Sequence, residues 1–487
     1  MPLPFASLRQ SPRAKTARNA LITVLVLLAA LILYLNLERA RGLQAWTDYE
    51  TQAKAAGVWL DYAAPLPVPN DQNFAAAPLL QNLALSGNDD AAAPARDFQK
   101  RFDDLIPDDH IPNGLGEFGH WETSQPVDLQ FWHTHWNATD LLVPLKEFDA
   151  ELAAFAAAAR RPGTSFPLEG EPSATSLGAL LDNLTRLTCL TELRALAELD
   201  QNLPGPAADD ATTLLRAAQR CAAAPEINYQ MLAVDIQTGA IPILWQGLAA
   251  RRWDDAQLSA LEGELAALDL LASSRHAWQF EAAFSTAAFE QTIGGPPAIP
   301  ADNGVLAGLA NISARFPRGW LYQTMTGFRR FYDGGILACY DLPHHRLDAA
   351  AVAKVSKMED AIATSWSPYN YLLKTLAPAH QTLMVLAKAQ AGLDLARVAC
   401  ALERARLATG QYPDNLAALA PAYIAAVPPD VVTGQPLIYK RDPGGDKFVL
   451  YSLGWNSQDD GGWVAPALSA RWSEGDWTWS YEAQPKR

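Results

Sequence analysis

Three histidines have the side chains and part of the spacing that a metal site requires. His133 and His135 stand two residues apart in the run FWHTHW, and His120 precedes them. In a strand, alternate side chains share one face, so both would reach one ion, whereas in a helix they would diverge. The spacing matches no HExxH-type motif, and the flanking tryptophans favour packing. A metal-assisted hydrolase built on these histidines is therefore the third-ranked function.

Aromatic residues near the C-terminal end suggest a second kind of chemistry. Trp477, Trp479 and Tyr481 alternate in the run WTWSY, and Trp472 precedes them. Alternation places the three on one face of a strand. An exposed face of this kind stacks on sugar rings, which makes an envelope glycan-binding protein the second-ranked function. The favoured alternative is that the rings cover the edge of a small sheet.

The overall charge argues against one class of partner. There are 38 Lys and Arg residues against 53 Asp and Glu, which gives a net charge of −15. Such a field repels phosphate backbones, so we expect no nucleic-acid partner. Hydrophobic residues make up 49% of the 487, which allows a large folded core in two or three units.

Four cysteines are spread along the chain without a CxxC pair: Cys189, Cys221, Cys339 and Cys400. Their spacing is unlike that of a metal knuckle. Two disulfides in an oxidising compartment and four buried free thiols remain equal alternatives.

An uninterrupted apolar run near the N-terminus predicts a membrane anchor. Residues 19–37 read NALITVLVLLAALILYLNL without a charge, and at helical rise they span roughly 28 Å. A cleaved signal peptide would have a shorter core followed by small residues, whereas Glu38 and Arg39 follow here. We therefore expect a single-pass protein of a bacterial inner membrane. The preceding basic residues predict a cytoplasmic N-terminus and a periplasmic body: Arg9, Arg13, Lys15 and Arg18.

Apolar residues recur at helical spacing over most of the remaining chain. The first helix is predicted to continue through Ala55, and Asp254 with Gln257 forms a capping-box-like helix start. Residues 176–201 and 209–224 suggest a tetratricopeptide-like hairpin, but no fixed period repeats, so an irregular helical body is predicted. The candidate helices cover about residues 141–160, 176–201, 209–224, 254–289, 349–364 and 379–409.

The pattern changes after Gly410, which is a suitable left-handed C-cap for the preceding helix. Two short runs rich in β-branched and aromatic residues follow, PLIYK at 436–440 and KFVLYS at 447–452, joined by a Pro/Gly loop. They predict a short antiparallel sheet. The fold class is therefore mainly α, with a single transmembrane helix, an irregular helical body and a small α+β C-terminal module.

Residues 393–463 resemble the C-terminal part of the major pseudopilin of type II secretion systems. There, too, a long helix ends at a Gly-x-Tyr-Pro element, and a Tyr-Ser-x-Gly strand end leads into an acidic glycine loop. The whole chain also looks like a group of large membrane-anchored proteins of planctomycete and verrucomicrobial type. The anchor has neither the Gly-Phe cleavage site nor the early Glu of prepilins, so assembly into a pilus-like fibre is not expected.

The pseudopilin resemblance implies a calcium ion in the acidic loop. The positions that match are Asn456, Ser457, Asp459 and Asp460, together with nearby carbonyl groups. Hard oxygen donors on a glycine-containing loop suit Ca²⁺, which takes six to eight such ligands. The alternative is a solvated turn, because Asp-Asp-Gly-Gly is common in loops.

These patterns divide the chain into five parts and rank a structural role first. The expected function is a membrane-tethered structural or interaction protein with an envelope protein partner, linked to secretion or envelope assembly, and this role is ranked above an enzymatic one. The parts are a basic tail (1–18), the transmembrane helix (19–37), a membrane-proximal region (38–126), a helical domain (127–378) and a pseudopilin-like module (379–487).

Overall fold

The structure is a computed structural model that describes residues 12–87, 90–106, 138–166, 177–295, 297–299, 303–313, 316–370, 373–375, 378–464 and 474–481. Most of these residues are helical, and the principal sheet lies near the C-terminal end, which confirms the mainly α fold class. Three histidines and one tryptophan singled out in the sequence lie outside the described residues: His120, His133, His135 and Trp472.

The described helices are α1 (Pro12–Ala55), α2 (Pro78–Leu83), α3 (Ala93–Leu105), α4 (Ala138–Leu145), α5 (Asp149–Ala159), α6 (Leu177–Asp200), α7 (Pro204–Ala222), α8 (Ile227–Ala249), α9 (Asp255–Ala266), α10 (Leu270–Ile293), α11 (Gly304–Ser313), α12 (Arg318–Phe331), α13 (Ala349–Thr364) and α14 (Ala379–Thr409). Short 3₁₀ turns and one π-helical segment, Tyr332–Ile336, connect several of them.

Helix α1 contains the predicted anchor and ends at Ala55, as the sequence predicts. An 18-residue window within it has a mean hydropathy of 2.6, and none of that window is buried. The helix is therefore long and apolar enough to cross a membrane. The same helix continues without a break past residue 37 and packs on the body through its last turns, where Trp46 and Ala53 are buried.

The body is built around α14, which packs against α8, α9, α10 and α13. Helices α6 and α7 form the expected hairpin, and α8 packs on both. The prediction of one helix over residues 254–289 is wrong, because α9 ends at Ala266 and α10 begins at Leu270. Asp269 causes the break, since its side chain accepts a hydrogen bond from the Ala272 amide and N-caps α10. The predicted capping box of Asp254 and Gln257 is confirmed.

The C-terminal sheet is antiparallel, with the order β3 (Ile438–Arg441), β4 (Phe448–Ser452) and β5 (Trp477–Ser480). Gly410 caps α14 in the left-handed conformation, at φ 88°, as predicted. Strands β3 and β4 confirm the two predicted runs and pair Ile438 with Tyr451. The strands β1 (Tyr340–Asp341) and β2 (Arg346–Leu347), of two residues each, form a hairpin that was not predicted.

Candidate functional site

The predicted calcium residues lie together on one surface loop after β4. Asn456 donates a hydrogen bond through Nδ2 to Asp460 Oδ2 at 2.7 Å, and Ser457 adopts a left-handed conformation at φ 54°. Asp459 Oδ1 accepts from the Tyr451 hydroxyl at 2.8 Å and from the Gly461 amide at 2.9 Å. The Tyr451 hydrogen bond, followed by the amide, lowers the pKa of the Asp459 carboxyl. The loop therefore holds ionised carboxylate at its surface.

Asp476 adds a buried carboxylate behind this loop. Its side chain is 1% exposed, and Oδ2 accepts from the Gly462 amide at 2.7 Å. Oδ1 is buried and makes no hydrogen bond within the part of the chain that the structure describes. Burial raises the pKa of Asp476, and the charges of Asp460 and Asp459 act in the same direction. The three carboxylates are therefore close enough to influence one another.

The described residues nevertheless do not form a complete metal centre. Across the described ranges, no group of three or more His, Cys, Asp or Glu side chains is arranged to hold an ion. Two of the loop oxygens already accept hydrogen bonds, at Asp459 and Asp460. A bound cation would therefore replace these hydrogen bonds.

The aromatic residues of the run WTWSY pack against the rest of the protein and do not form an exposed face. Trp477 and Trp479 are 9% and 4% exposed on β5, and the Trp479 indole donates to the Tyr481 hydroxyl at 3.1 Å. Trp245 of α8 donates its indole N–H to the Ser480 carbonyl at 3.0 Å, which fastens β5 to the body. An exposed face was the condition for glycan stacking, and these residues do not meet it.

A histidine–aspartate pair lies at the β1–β2 turn. His345 Nε2 and Asp394 Oδ2 are 2.8 Å apart, and Asp394 is buried in α14. The hydrogen bond to Asp394 raises the pKa of His345. Among the described residues, the imidazole has Asp394 as its hydrogen-bond partner and contacts no nucleophilic side chain through such a bond. The pair therefore ties the turn to α14.

The four cysteines are free and buried. Of the two alternatives, two disulfides or four buried free thiols, the structure therefore has the free thiols. Burial is the first cause that raises the pKa of each one, so each thiol stays protonated and unreactive: Cys189, Cys221, Cys339 and Cys400.

Helices α1 and α12 are closely packed against each other. A Cβ atom at Gly42 would lie 2.3 Å from the Gly319 carbonyl oxygen, and one at Gly319 would lie 2.4 Å from the Glu38 carbonyl oxygen. Further along, Trp46 of α1 packs with Met325 of α12. Residue numbers increase in the same direction along α1 and α12 from the first of these contacts to the second, so the two helices run parallel. Glycine at both positions lets the backbones touch.

Polar side chains lock the same junction at both ends. At the end next to the apolar run, Glu38 is buried and accepts from the Tyr369 hydroxyl at 2.9 Å. At the other end, Arg329 donates to Asp333 through Nε at 3.0 Å and Nη2 at 3.1 Å, and to the Trp59 carbonyl at 2.9 Å.

Tyr49 of α1 completes this second group by donating its hydroxyl to Asp333. Burial and the hydrogen bond to Asp333 raise the pKa of Tyr49 to about 12, so the hydroxyl keeps its proton. The anchor helix is therefore joined to the body by side chains that lie roughly 280 residues apart in sequence.

No protein-family model matches the chain, and neither a curated protein nor a solved structure does. The fold and the junction define a class only: a mainly helical body carried by one N-terminal helix that is apolar enough to span a membrane.

Proposed function

We propose that this chain is a membrane-tethered structural or interaction protein of the cell envelope. The N-terminal tail lies in the cytoplasm, α1 crosses the inner membrane, and the body stands in the periplasm and binds an envelope protein partner. A pseudopilin-like origin of the C-terminal module and a link to secretion or envelope assembly belong to the same proposal.

The locked junction between α1 and α12 carries this proposal. A flexible linker is enough to keep an enzyme near a membrane. Here the anchor helix continues into the body without a break, and Gly42, Gly319 and the Tyr49–Asp333–Arg329 group fasten it. Such a junction fixes the orientation of the body, which favours a role in holding or docking a partner.

Reporter fusions test the topology. A reporter that is active only outside the cytoplasm should be active when fused after Arg487, and one that is active only inside should be silent, because the basic residues precede the apolar run. Replacing all four basic residues by glutamine should reduce the signal of the reporter that is active outside the cytoplasm: Arg9, Arg13, Lys15 and Arg18. An active inside reporter would contradict the proposal. A mature N-terminus beyond Leu37 would replace the anchor with a signal peptide.

We also propose that the acidic loop binds Ca²⁺ through Asn456, Ser457, Asp459 and Asp460. Carboxylate, amide and hydroxyl oxygens are the donors that calcium prefers. The hydrogen bonds from the Tyr451 hydroxyl and the Gly461 amide support this choice, because they favour an ionised Asp459 carboxylate at the surface of the loop. When bound, the ion would offset the repulsion among three carboxylates.

Thermal unfolding of the full chain in detergent tests the calcium proposal. If the ion binds only the folded loop, stability rises by about 2.7 kcal/mol at a calcium concentration of about 100 times the Kd. The melting temperature should therefore be higher in calcium than in chelator. Asp459→Asn with Asp460→Asn should remove the difference, and magnesium should substitute poorly.

Asp442→Asn is the matched control, because Asp442 accepts backbone hydrogen bonds in the neighbouring β3–β4 turn. This variant should keep its response to calcium. Equal melting of the wild-type chain in calcium and in chelator would leave Asp459 and Asp460 as turn residues.

A further inference from the structure

A group of aromatic and basic side chains surrounds the point where α1 leaves its apolar run. Tyr369 reaches Glu38, the residue after that run, and the Trp320 ring lies edge-on to the Tyr369 ring at 6.3 Å. Phe316 packs against Trp320 at 6.0 Å. We name this group the interfacial patch and define it by Phe316, Arg318, Trp320, Trp366, Tyr369 and Lys374.

The parallel packing of α1 and α12 sets the height of the patch. Gly319 lies against Glu38, and α12 begins one residue earlier, at Arg318. Phe316 precedes the first residue of α12. Along the axis of α1 it therefore lies beside the last turn of the apolar run. Trp366 is three residues from Tyr369, a stretch that spans at most roughly 11 Å. The patch therefore lies beside the end of the apolar run, which is where the headgroup layer of a bilayer, roughly 5–8 Å thick on each side, would begin.

The exposure of Trp366 is unusual for a side chain in water, whereas Phe316, Trp320 and Tyr369 are half-buried. The Trp366 side chain is 100% exposed, although tryptophan is normally among the more buried residues. Lys374 is exposed and donates a hydrogen bond to the Ser365 carbonyl, next to Trp366. Arg318, Arg39 and Arg41 are exposed around the contact of Gly319 with Glu38. Tryptophan and tyrosine collect at the boundary between lipid and water, and cationic side chains contact lipid phosphates there.

We infer that the interfacial patch sits in the headgroup layer of the bilayer that α1 crosses, so that the body touches the membrane at a second place. The inference rests on the proposed anchoring of α1. Its occupant is the lipid surface itself, because the patch is continuous with the end of the spanning helix. Two contacts, one through the bilayer and one on its surface, would hold the body at a fixed tilt.

A fluorophore placed on the patch tests the inference. Because the native cysteines are buried, a thiol-reactive, polarity-sensitive dye labels the new cysteine of Trp366→Cys selectively. The full chain is reconstituted in phosphatidylcholine vesicles, with and without phosphatidylglycerol, containing lipids with a quencher near the headgroup. The expected result is a blue shift and a loss of fluorescence, both larger with the anionic lipid.

Two matched variants separate the possible failures. Leu28→Cys places the dye within the apolar run, and Ala408→Cys places it at an exposed position in the last turn of α14. Two results together support the patch. A lipid with its quencher deep in the acyl chains quenches the dye at position 28, and the headgroup quencher quenches the dye at position 366 but not the dye at position 408.

Quenching at 28 without quenching at 366 would overturn the patch and leave the anchor in place. Equal quenching at 366 and 408 would also overturn it, because the contact would not be specific. An unquenched dye at position 28 would overturn the anchor and, with it, the proposed function.

Discussion

Arg329→Ala is expected to destabilise the body by about 3–5 kcal/mol, because it removes one partner of a buried ion pair. Arg329 is 1% exposed, and its guanidinium makes two hydrogen bonds to Asp333 and one to the Trp59 carbonyl. Without it, Asp333 keeps only the Tyr49 hydroxyl among the partners described here. Denaturant unfolding of the full chain in detergent measures the loss.

A double variant separates charge from packing. Arg329→Met with Asp333→Leu removes both charges and fills similar volume, so it should recover much of the lost stability. As a surface control, Lys54→Ala breaks the exposed pair with Glu50 and should have little effect. An unchanged unfolding midpoint for Arg329→Ala would show that the pair does not hold the junction.

Gly319→Ala is expected to have the second-largest effect, about 1–3 kcal/mol of destabilisation, because a methyl group cannot fit between the two helices. The added Cβ would lie 2.4 Å from the Glu38 carbonyl oxygen and 2.6 Å from the Arg39 amide nitrogen, and both are backbone atoms of α1. The helices must therefore separate. The variant should have a lower free energy of unfolding, and limited proteolysis between α1 and the body should be faster than in the wild-type chain.

Gly263→Ala is the matched control, since Gly263 lies in α9 and a Cβ there would meet no atom within 4 Å. Alanine is the better helix former, so this variant should gain roughly 0.4–1 kcal/mol. If Gly319→Ala behaved like Gly263→Ala, α1 would not be packed on α12 as described.

Features that depend on neighbours in sequence could be predicted. The end of α1 at Ala55, the Asp254 capping box, the Gly410 C-cap and strands β3 and β4 all follow from local patterns. Each signal lies within a few residues, so no knowledge of the packed structure was needed.

Features that depend on packing were missed. Helix α8 was not predicted, because Pro242 interrupts its pattern, yet the helix continues through that residue within a buried bundle. Gly239 and Gly247 also weaken its helical signal, although they allow close contact with Thr188 and Trp253.

The unpredicted site residues are distant in sequence from the groups they serve. Asp476 follows the acidic loop by a stretch that no local motif spans. The pairing of β5 with β4 and the bridge between Gly475 and Val464 bring it there. Tyr49 and Asp333 meet only after α1 docks on the body. Gly42 and Gly319, which allow that contact, are two of 30 glycines in the chain, and no local pattern marks them.

The central claim is that a membrane-spanning helix continues as a rigid part of the body. Pulsed-EPR distances between spin labels on Gln44→Cys and Arg330→Cys, both exposed positions, test it in full-length protein reconstituted in vesicles. The native cysteines are buried, so the labels attach selectively. We predict one narrow distance distribution, broadened when Gly319→Ala is added. A broad distribution in the unmodified background, as a flexible linker produces, would contradict the claim.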